Sequence, residues 1–362
     1  MQTYPIATID LAALKHNLSE LKQLAPNSNI MSVIKANGYG HGAVEMAHAL
    51  EGSDAFAVAR LAEGVQLREA GISKAIVLLE GVHSVEELQH AAQYQLSPVF
   101  HHFSQLELLQ QTQISKPLQF CWLMIETGMH RLGISLDDCQ HAFEVLSNSS
   151  LIEGDIGLMS HFANSDSVGD ERNLQQLQQI HYAKNLYSTQ ISMANSAAIL
   201  SMADSHFEWL RPGLVLYGIS PFDDKTAADL GLKPVMKLSA QIVSIKEVKK
   251  GEQVGYGGEW QATNVSKIGT VDIGYGDGYS RQLSNVGHVS VNGQKVAVIG
   301  RVSMDMICID LSTMEHVEVG QEVVLWGDDE LPVEAVAAQA NTIPYELVCQ
   351  LNERVARQYI NG

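Results

Sequence analysis

The sequence predicts an α/β fold: an eight-stranded parallel β/α (TIM-type) barrel followed by a mainly-β C-terminal domain. Three observations predict it. Short apolar runs alternate with amphipathic stretches over about 220 residues, the pattern of repeated β/α units. Past Pro234 the alternation gives way to closely spaced strands broken by Gly and Asp. The length of 362 residues, at roughly 100–200 per domain, leaves room for two domains with real cores. A doubly wound open sheet shares the first observation and is the alternative to the barrel.

A short extended start near Tyr4–Ile9 leads to Asp10, which stands where an N-cap would accept from the open N–H groups of a following turn. Leu11, Leu14, Leu18 and Leu21 then recur at helical spacing. Strands are expected at Ile30–Ile34, Phe56–Ala59, Ile76–Leu79, Leu96–Phe100, Leu118–Ile125, Asp155–Ser160, Ile191–Ala194 and Leu214–Tyr217. The intervening helices include Ala43–Leu50, Leu61–Ala70, Val85–Gln93 and Asn173–Tyr187. Lys225–Lys233 reads as the linker, dividing a barrel over residues 1–230 from a β-domain over 231–362. There, strands fall at Lys237–Val248, Lys267–Ile273, Val289–Val291, Lys295–Ile299, Ile307–Leu311 and Glu322–Trp326. Asn292-Gly293 between two of them is a strong hairpin signal, because both residues tolerate the positive φ that a two-residue turn requires. Two short helices near Val333–Gln339 and Tyr345–Leu351 are expected to close the chain.

The 41 acidic residues outnumber the 23 Lys and Arg, for a net charge of −18. Without a basic cluster, this excludes nonspecific attraction to nucleic acid or an anionic membrane surface. Cys121, Cys139, Cys308 and Cys349 stand far apart without a CxxC pair, so reduced, buried thiols are expected rather than a disulfide framework or metal site. No apolar stretch reaches the ~18 residues of a membrane span, and residues 1–30 lack a signal-peptide pattern. The expected location is cytoplasmic.

Barrels place their chemistry at the C-terminal ends of strands. The first barrel strand runs into Lys35, followed by Gly38, Gly40 and Gly42. An ammonium in a barrel mouth is costly unless paired or used covalently, and desolvation suits a lysine to Schiff-base chemistry. A lysine reaching the rim is the plain alternative. Arg131, between glycines after strand five, suits a carboxylate clamp or else a surface ion pair. His161 closes strand six and is either a core histidine or a site residue. Asn195-Ser196 closes strand seven, and Arg211-Pro212-Gly213-Leu214 leads into strand eight, where barrels commonly bind phosphate. Three cations and a phosphate cradle on one face suit a phosphorylated, carbonyl-bearing cofactor that reacts with amines; pyridoxal 5'-phosphate fits that description. The β-domain adds tyrosines among glycines at Gly255-Tyr256-Gly257-Gly258 and Gly274–Tyr279, as either ligand-facing or ordinary turn residues.

Assembled in order, VIKANGYGHG (Val33–Gly42), TGMHRLG (Thr127–Gly133), SHFA (Ser160–Ala163), RPGLVLYG (Arg211–Gly218), VGYGG (Val254–Gly258), IGYGDGY (Ile273–Tyr279) and GRVSMDM (Gly300–Met306) closely resemble bacterial alanine racemases. The resemblance implies pyridoxal phosphate as cofactor, alanine as substrate, and a homodimer with shared active sites. It implies that Lys35 holds the cofactor and serves as one base, on the D-alanine side, and that Tyr256 from the partner subunit is the other, on the L-alanine side. It assigns Arg131 to the substrate carboxylate and Met304 to a substrate contact. Tyr39, Ser196 and the Gly213-Leu214 backbone match phosphate contacts, Arg211 matches the partner of the pyridine nitrogen, and His161 lies beside the ring. Tyr275 and Asp305 resemble residues at the mouth of the site. One position departs: many relatives carry a carbamylated lysine where Met124 stands here, so another anion such as chloride, or a shifted side chain, is expected to support Arg131. A broader-specificity racemase of the same fold is the alternative, and the chain lacks the cysteine and aspartate motif expected of a decarboxylase of this architecture.

Overall fold

The computed structural model describes residues 4–114 and 116–362, which form two units. One comprises Lys15–Gly38 and Ala43–Leu216; the other takes the chain through Leu14, then Tyr39–Gly42 and Tyr217–Gly362.

The extended start is β1 (Ile6–Asp10), and its partners lie far along the chain. It runs antiparallel to β10 (Met236–Val248) and parallel to β18 (Ala356–Ile360). Asp10 caps the next helix as its sequence suggests: Oδ1 accepts from the N–H groups of Ala12 (2.9 Å) and Ala13 (3.1 Å). That helix, Leu11–Leu24, buries Leu14, Leu18 and Leu21.

The barrel of the first unit closes in chain order through β2 (Asn29–Val33), β3 (Ala55–Val58), β4 (Ala75–Leu78), β5 (Ser97–Phe100), β6 (Leu118–Met124), β7 (Ile152–Met159), β8 (Ile191–Ser192) and β9 (Trp209–Leu210). Every pairing is parallel. Covered on both faces, these strands read as continuous apolar runs rather than alternating ones. The Trp122 ring of β6 lies so close over Gly157 of β7 that an added Cβ would come within 2.6 Å of it, so the packing there requires glycine.

The eighth strand differs from expectation. It is Trp209–Leu210, whereas Leu214–Tyr217 is a tight 3-10 turn in which Leu216 N–H donates to Gly213 O at 2.9 Å. All four turn residues are fully buried, and a short, wholly buried apolar run does not reveal its period.

In the second unit β10 continues the chain, and β11 (Gln253–Val254) and β12 (Trp260–Gln261) form a small ribbon. The larger sheet uses β13 (Ser266–Val271), β14 (His288–Val291), β15 (Gln294–Ile299), β16 (Ile307–Asp310) and β17 (Glu322–Trp326), in the order β13-β16-β15-β14-β17-β10-β1-β18. A β10–β13 pairing also closes six of these strands on themselves. A bulge between Ile242 and Ser244 bends β10 so that its two halves reach different neighbours. The hairpin falls where expected, with Asn292 and Gly293 at φ of 51° and 74° and Val291 opposite Gln294.

Two further expectations are corrected. The helices Val333–Gln339 and Pro344–Gln350 are present, but β18 follows them. Its side chains alternate between exposed and half-buried, and its charged and polar residues hid it from an apolar search. None of the four cysteines forms a disulfide among the described residues, but Cys349 is exposed and Cys308 half-buried, since the short helix carrying Cys349 turns that face outward. No helix among the described residues is long and apolar enough to cross a membrane.

Candidate active site

β2 delivers Lys35 to the C-terminal mouth of the barrel, and behind it the backbone turns left-handed. Ala36, Asn37, Gly38 and Tyr39 have φ of 51°, 53°, 62° and 51°. Ala36 and Tyr39 each cost about 1–2 kcal/mol in that region, whereas glycine and asparagine tolerate it. The turn is held from outside: Ala36 N–H donates to Glu63 Oε1 (2.7 Å), Gly38 N–H to Ile34 O (2.9 Å) and Ala43 N–H to Asn37 Oδ1 (3.0 Å).

The Lys35 side chain makes no hydrogen bond or ion pair among the described residues. Burial lowers its pKa most, and Arg131 and Arg211 push the same way against Glu80 and Glu63. Lys35 therefore loses its proton more readily than a surface lysine.

Arg131 stands on the loop after β6. The loop is pinned at its base, where Glu126 N–H donates to Ile134 O and Ile134 N–H to Met124 O, both at 2.9 Å. Gly133 fits there only because it lacks a Cβ, which would sit 2.5 Å from the Glu126 nitrogen. Arg131 is exposed and has no hydrogen-bond or ion-pair partner among the described residues. Met124 is a buried end of β6.

Arg211, just past β9, is buried without an acid. Its guanidinium donates to Ser192 Oγ (2.7 Å), to the carbonyls of Ser160 and Met193, and to Nδ1 of His161 (3.1 Å). Its Nε has no partner among the described residues. Burial lowers the Arg211 pKa, yet it remains a cation at neutral pH. Burial chiefly, then Arg211, Arg131 and Lys35, hold His161 well below the usual histidine range. Because Nδ1 accepts from a guanidinium, the proton of this neutral imidazole is on Nε2.

After β8, Ser196 begins a one-and-a-half-turn helix capped by Asn195, whose Oδ1 accepts from Ala198 N–H. The buried Ser196 hydroxyl accepts from Gly213 N–H (3.0 Å) and Val215 N–H (3.5 Å). The N–H groups of Ser196 and Leu214 donate to no atom among the described residues. A hydroxyl and unpaired N–H groups at adjacent strand ends form a donor set suited to a phosphate.

Comparison with known proteins decides the family. The family model for the alanine racemase N-terminal domain matches residues 9–221, and that for its C-terminal domain matches residues 235–359.

The chain belongs to the alanine racemase family.

It is an isomerase, and its reaction is the racemisation of alanine. The chain is 46% identical to an alanine racemase of Nitrosococcus oceani over 98% of this chain and 99% of that one. It is 44% identical to that of Vibrio atlanticus over 98% of each. Among solved structures it resembles the biosynthetic alanine racemase of Pseudomonas aeruginosa, with a TM-score of 0.94, 41% identity and 99% of each chain covered. It also resembles the alanine racemase of Bartonella henselae with covalently bound pyridoxal phosphate, with a TM-score of 0.90, 33% identity, and 99% and 100% of the two chains covered.

The first unit holds Lys35, Arg131, His161, Ser196, Arg211, Gly213 and Leu214, with the first three and Arg211 close enough to act on one another's charge. Tyr39, Tyr256, Tyr275, Met304 and Asp305 belong to the second unit. The Tyr39 ring packs against Tyr217 and Tyr345 at centroid distances of 4.9 and 5.9 Å, and burial pushes its pKa up. Tyr256 is 71% exposed at the tip of the β11–β12 ribbon, on a turn where Gly255 and Gly257 have φ of 75° and 73°. Tyr275 and Met304 are exposed on neighbouring loops joined by Gly276 N–H to Met304 O (2.8 Å). Arg354 ties these loops together, reaching Asp305 (2.6 Å) and Asp277 (3.0 Å).

Sequence reasoning missed Glu63, Arg354 and Gln176. Gln176 is buried on the helix Glu171–Tyr187, where its Nε2 donates to Thr127 Oγ1 (3.2 Å) and His161 O (2.9 Å), and its Oε1 accepts from Ala163 N–H (2.9 Å). Thr127 is 2.7 Å from Ser160 Oγ, which donates to Ile125 O (3.0 Å), so the hydroxyl protons run in one direction from Gln176 to β6. The signal lay in the helix: Asn173 and Gln176 share its buried face with Leu177, Ile180 and Ala183. Two amides on a buried face need buried partners.

Proposed function

We propose that this chain interconverts L- and D-alanine through two bases, with pyridoxal phosphate as cofactor, in sites completed by a second copy of the chain. The D-alanine would serve peptidoglycan synthesis in the cytoplasm. When bound, pyridoxal phosphate supplies a carbonyl that condenses with amines and an electron sink that acidifies the substrate's α-hydrogen.

Lys35 would hold its aldehyde carbon. The phosphate would fall to the Ser196 hydroxyl, the Gly213-Leu214 backbone and the Tyr39 hydroxyl, and His161 would flank the ring. Arg211, a donor that keeps its protons, would face the ring nitrogen and leave it unprotonated, weakening the sink and disfavouring side reactions such as transamination. Arg131 would take the substrate carboxylate bidentately. Met304 would border the substrate, with Tyr275 and Asp305 at the mouth.

Racemisation removes a proton from one face of the α-carbon and returns one to the other, so two groups must flank it. Lys35 would act on one face and Tyr256 of a second copy on the other. The exposure of Tyr256 on its glycine turn supports that assignment. A phenol serves as a base at neutral pH when cations or donors stabilise its anion, and His161 Nε2–H and Arg211 are such groups.

The observation that carries the proposal is the charge pattern of the barrel mouth. Lys35, Arg131 and Arg211 stand there without an ion-pair partner among the described residues, in a chain of net charge −18. Two anionic groups, a phosphate and a carboxylate, would satisfy them. Incubation with L-alanine in deuterated water tests this directly. D-alanine carrying α-deuterium is expected; retention of the L-isomer without deuterium would overturn the proposal.

A further inference from the structure

We infer that Glu63 is a positioning residue for Lys35, fixing the direction in which its side chain leaves the backbone. This rests on Lys35 being the reacting amine. The Glu63 carboxylate accepts three backbone N–H groups: Oε1 from Ala36 (2.7 Å), Oε2 from Ala59 (2.7 Å) and Arg60 (3.0 Å). The last two close the end of β3 and the first turn of the helix Leu61–Glu69, an ordinary use for an acid at that position. The first is different, because it reaches another strand end and holds the peptide joining Lys35 to Ala36. The plane of that peptide sets ψ of Lys35, and with it the exit of the Cα–Cβ bond.

The hold is needed because the chain turns left-handed from Ala36 onward, and Ala36 and Tyr39 at the two ends of the turn do not favour that region. Ala36 is exposed, so little besides the carboxylate shields its N–H from water. Glu63 also brings a negative charge close enough to act on the Lys35 ammonium, opposing Arg131 and Arg211. One side chain thus sets both the aim of the amine and part of its proton affinity.

Glu63→Gln separates these duties from helix capping. Its amide oxygen can still accept from Ala59 and Arg60, which puts the NH2 group against the Ala36 N–H, donor to donor. In the holoenzyme, hydrogen exchange at Ala36 is expected to quicken at least about tenfold, the scale of one lost charge-assisted hydrogen bond. Exchange at Ala59 and Arg60 is expected to stay near the parent value. Turnover from D-alanine is expected to fall through kcat more than KM, and the pH limb assigned to Lys35 to move to lower pH. Adding Ala36→Gly, which adopts the left-handed turn without strain, is expected to restore part of kcat.

Parent-like exchange at Ala36 in Glu63→Gln, or a kcat loss that Ala36→Gly leaves untouched, would overturn the inference. If Glu63→Gln does not fold, Glu63→Asp, which keeps the charge but falls short of Ala36, is measured in its place. Quickened exchange at Ala36 in that variant supports the inference, and parent-like exchange overturns it. Failure of the racemase proposal has a different signature, namely no deuterium incorporation by the unsubstituted protein.

Discussion

Replacing Gln176 with leucine removes the three hydrogen bonds that join the loops after β6 and β7 while keeping an apolar side chain of similar length. The Thr127 hydroxyl keeps its bond to Ser160, so its loss is small. The His161 carbonyl, on a half-buried residue, is left without its donor, at about 1–3 kcal/mol. Ala163 N–H is on an exposed residue and can turn to water, at about 0.5–1.5 kcal/mol. The total is roughly 2–4 kcal/mol. At roughly 2–4 °C per kcal/mol for a unit of this size, the melting temperature is expected to drop by about 4–16 °C. Function is expected to suffer beyond stability, because Thr127 begins the loop carrying Arg131 and the His161 carbonyl belongs to the residue whose ring meets Arg211. Assayed well below its melting temperature, the variant is expected to show a raised KM for alanine. A melting temperature within a degree of the parent, together with unchanged KM, would show that Gln176 is not a strut.

Lys35→Ala is expected to lose the visible cofactor absorbance that borohydride traps, so an unchanged spectrum would remove Lys35 from that role. Tyr256→Phe is expected to keep cofactor and lose most racemisation. Mixed with Lys35→Ala and allowed to exchange subunits, it is expected to regain about one quarter of parental activity, since half the dimers would be mixed and each would hold one intact site. No recovery despite proven exchange would argue against sites shared between copies. The pH dependence of stability tests His161, whose folded pKa lies below its unfolded value. Below about pH 6.5 the unfolded chain takes up a proton that the folded one refuses, so stability is present above that pH and is lost as pH falls. A His161→Gln variant is expected to show a flatter melting temperature between about pH 6.5 and 5; an equal slope would place the acid loss elsewhere.

The barrel was legible because its strands are short apolar runs spaced by amphipathic helices, and a period shows wherever one face meets water. Legibility ended at the eighth strand for the converse reason: Leu214–Tyr217 is buried on every side, and Trp209–Leu210 is too short to show a period. β18 was missed because its side chains, among them Arg357 and Tyr359, are polar; Arg357 donates to Gly40 O (3.1 Å) and Tyr359 to His41 O (3.0 Å). In the site, Lys35, Arg131 and Arg211 stood out as cations where apolar strands end. Glu63 and Gln176 did not, because each sits inside a helix that gives it an ordinary excuse. What they do depends on which distant backbone groups the barrel brings to them, and adjacency across strands is not written in local sequence.

The pairing of β1 with β10 and β18 bears on how the molecule is made. Ile6 emerges from the ribosome early, yet its neighbours on either side, Ser239 and Ala356, are synthesised only after the whole barrel has passed. Domains fold as units while the chain grows, so the barrel can close first, leaving a free apolar strand ahead of it. For that interval β1 is an unpaired edge, the kind of segment that recruits the wrong partner. Protection arrives last, with Ala356–Ile360, and loss of those few residues would leave β1 with one open edge for the life of the protein.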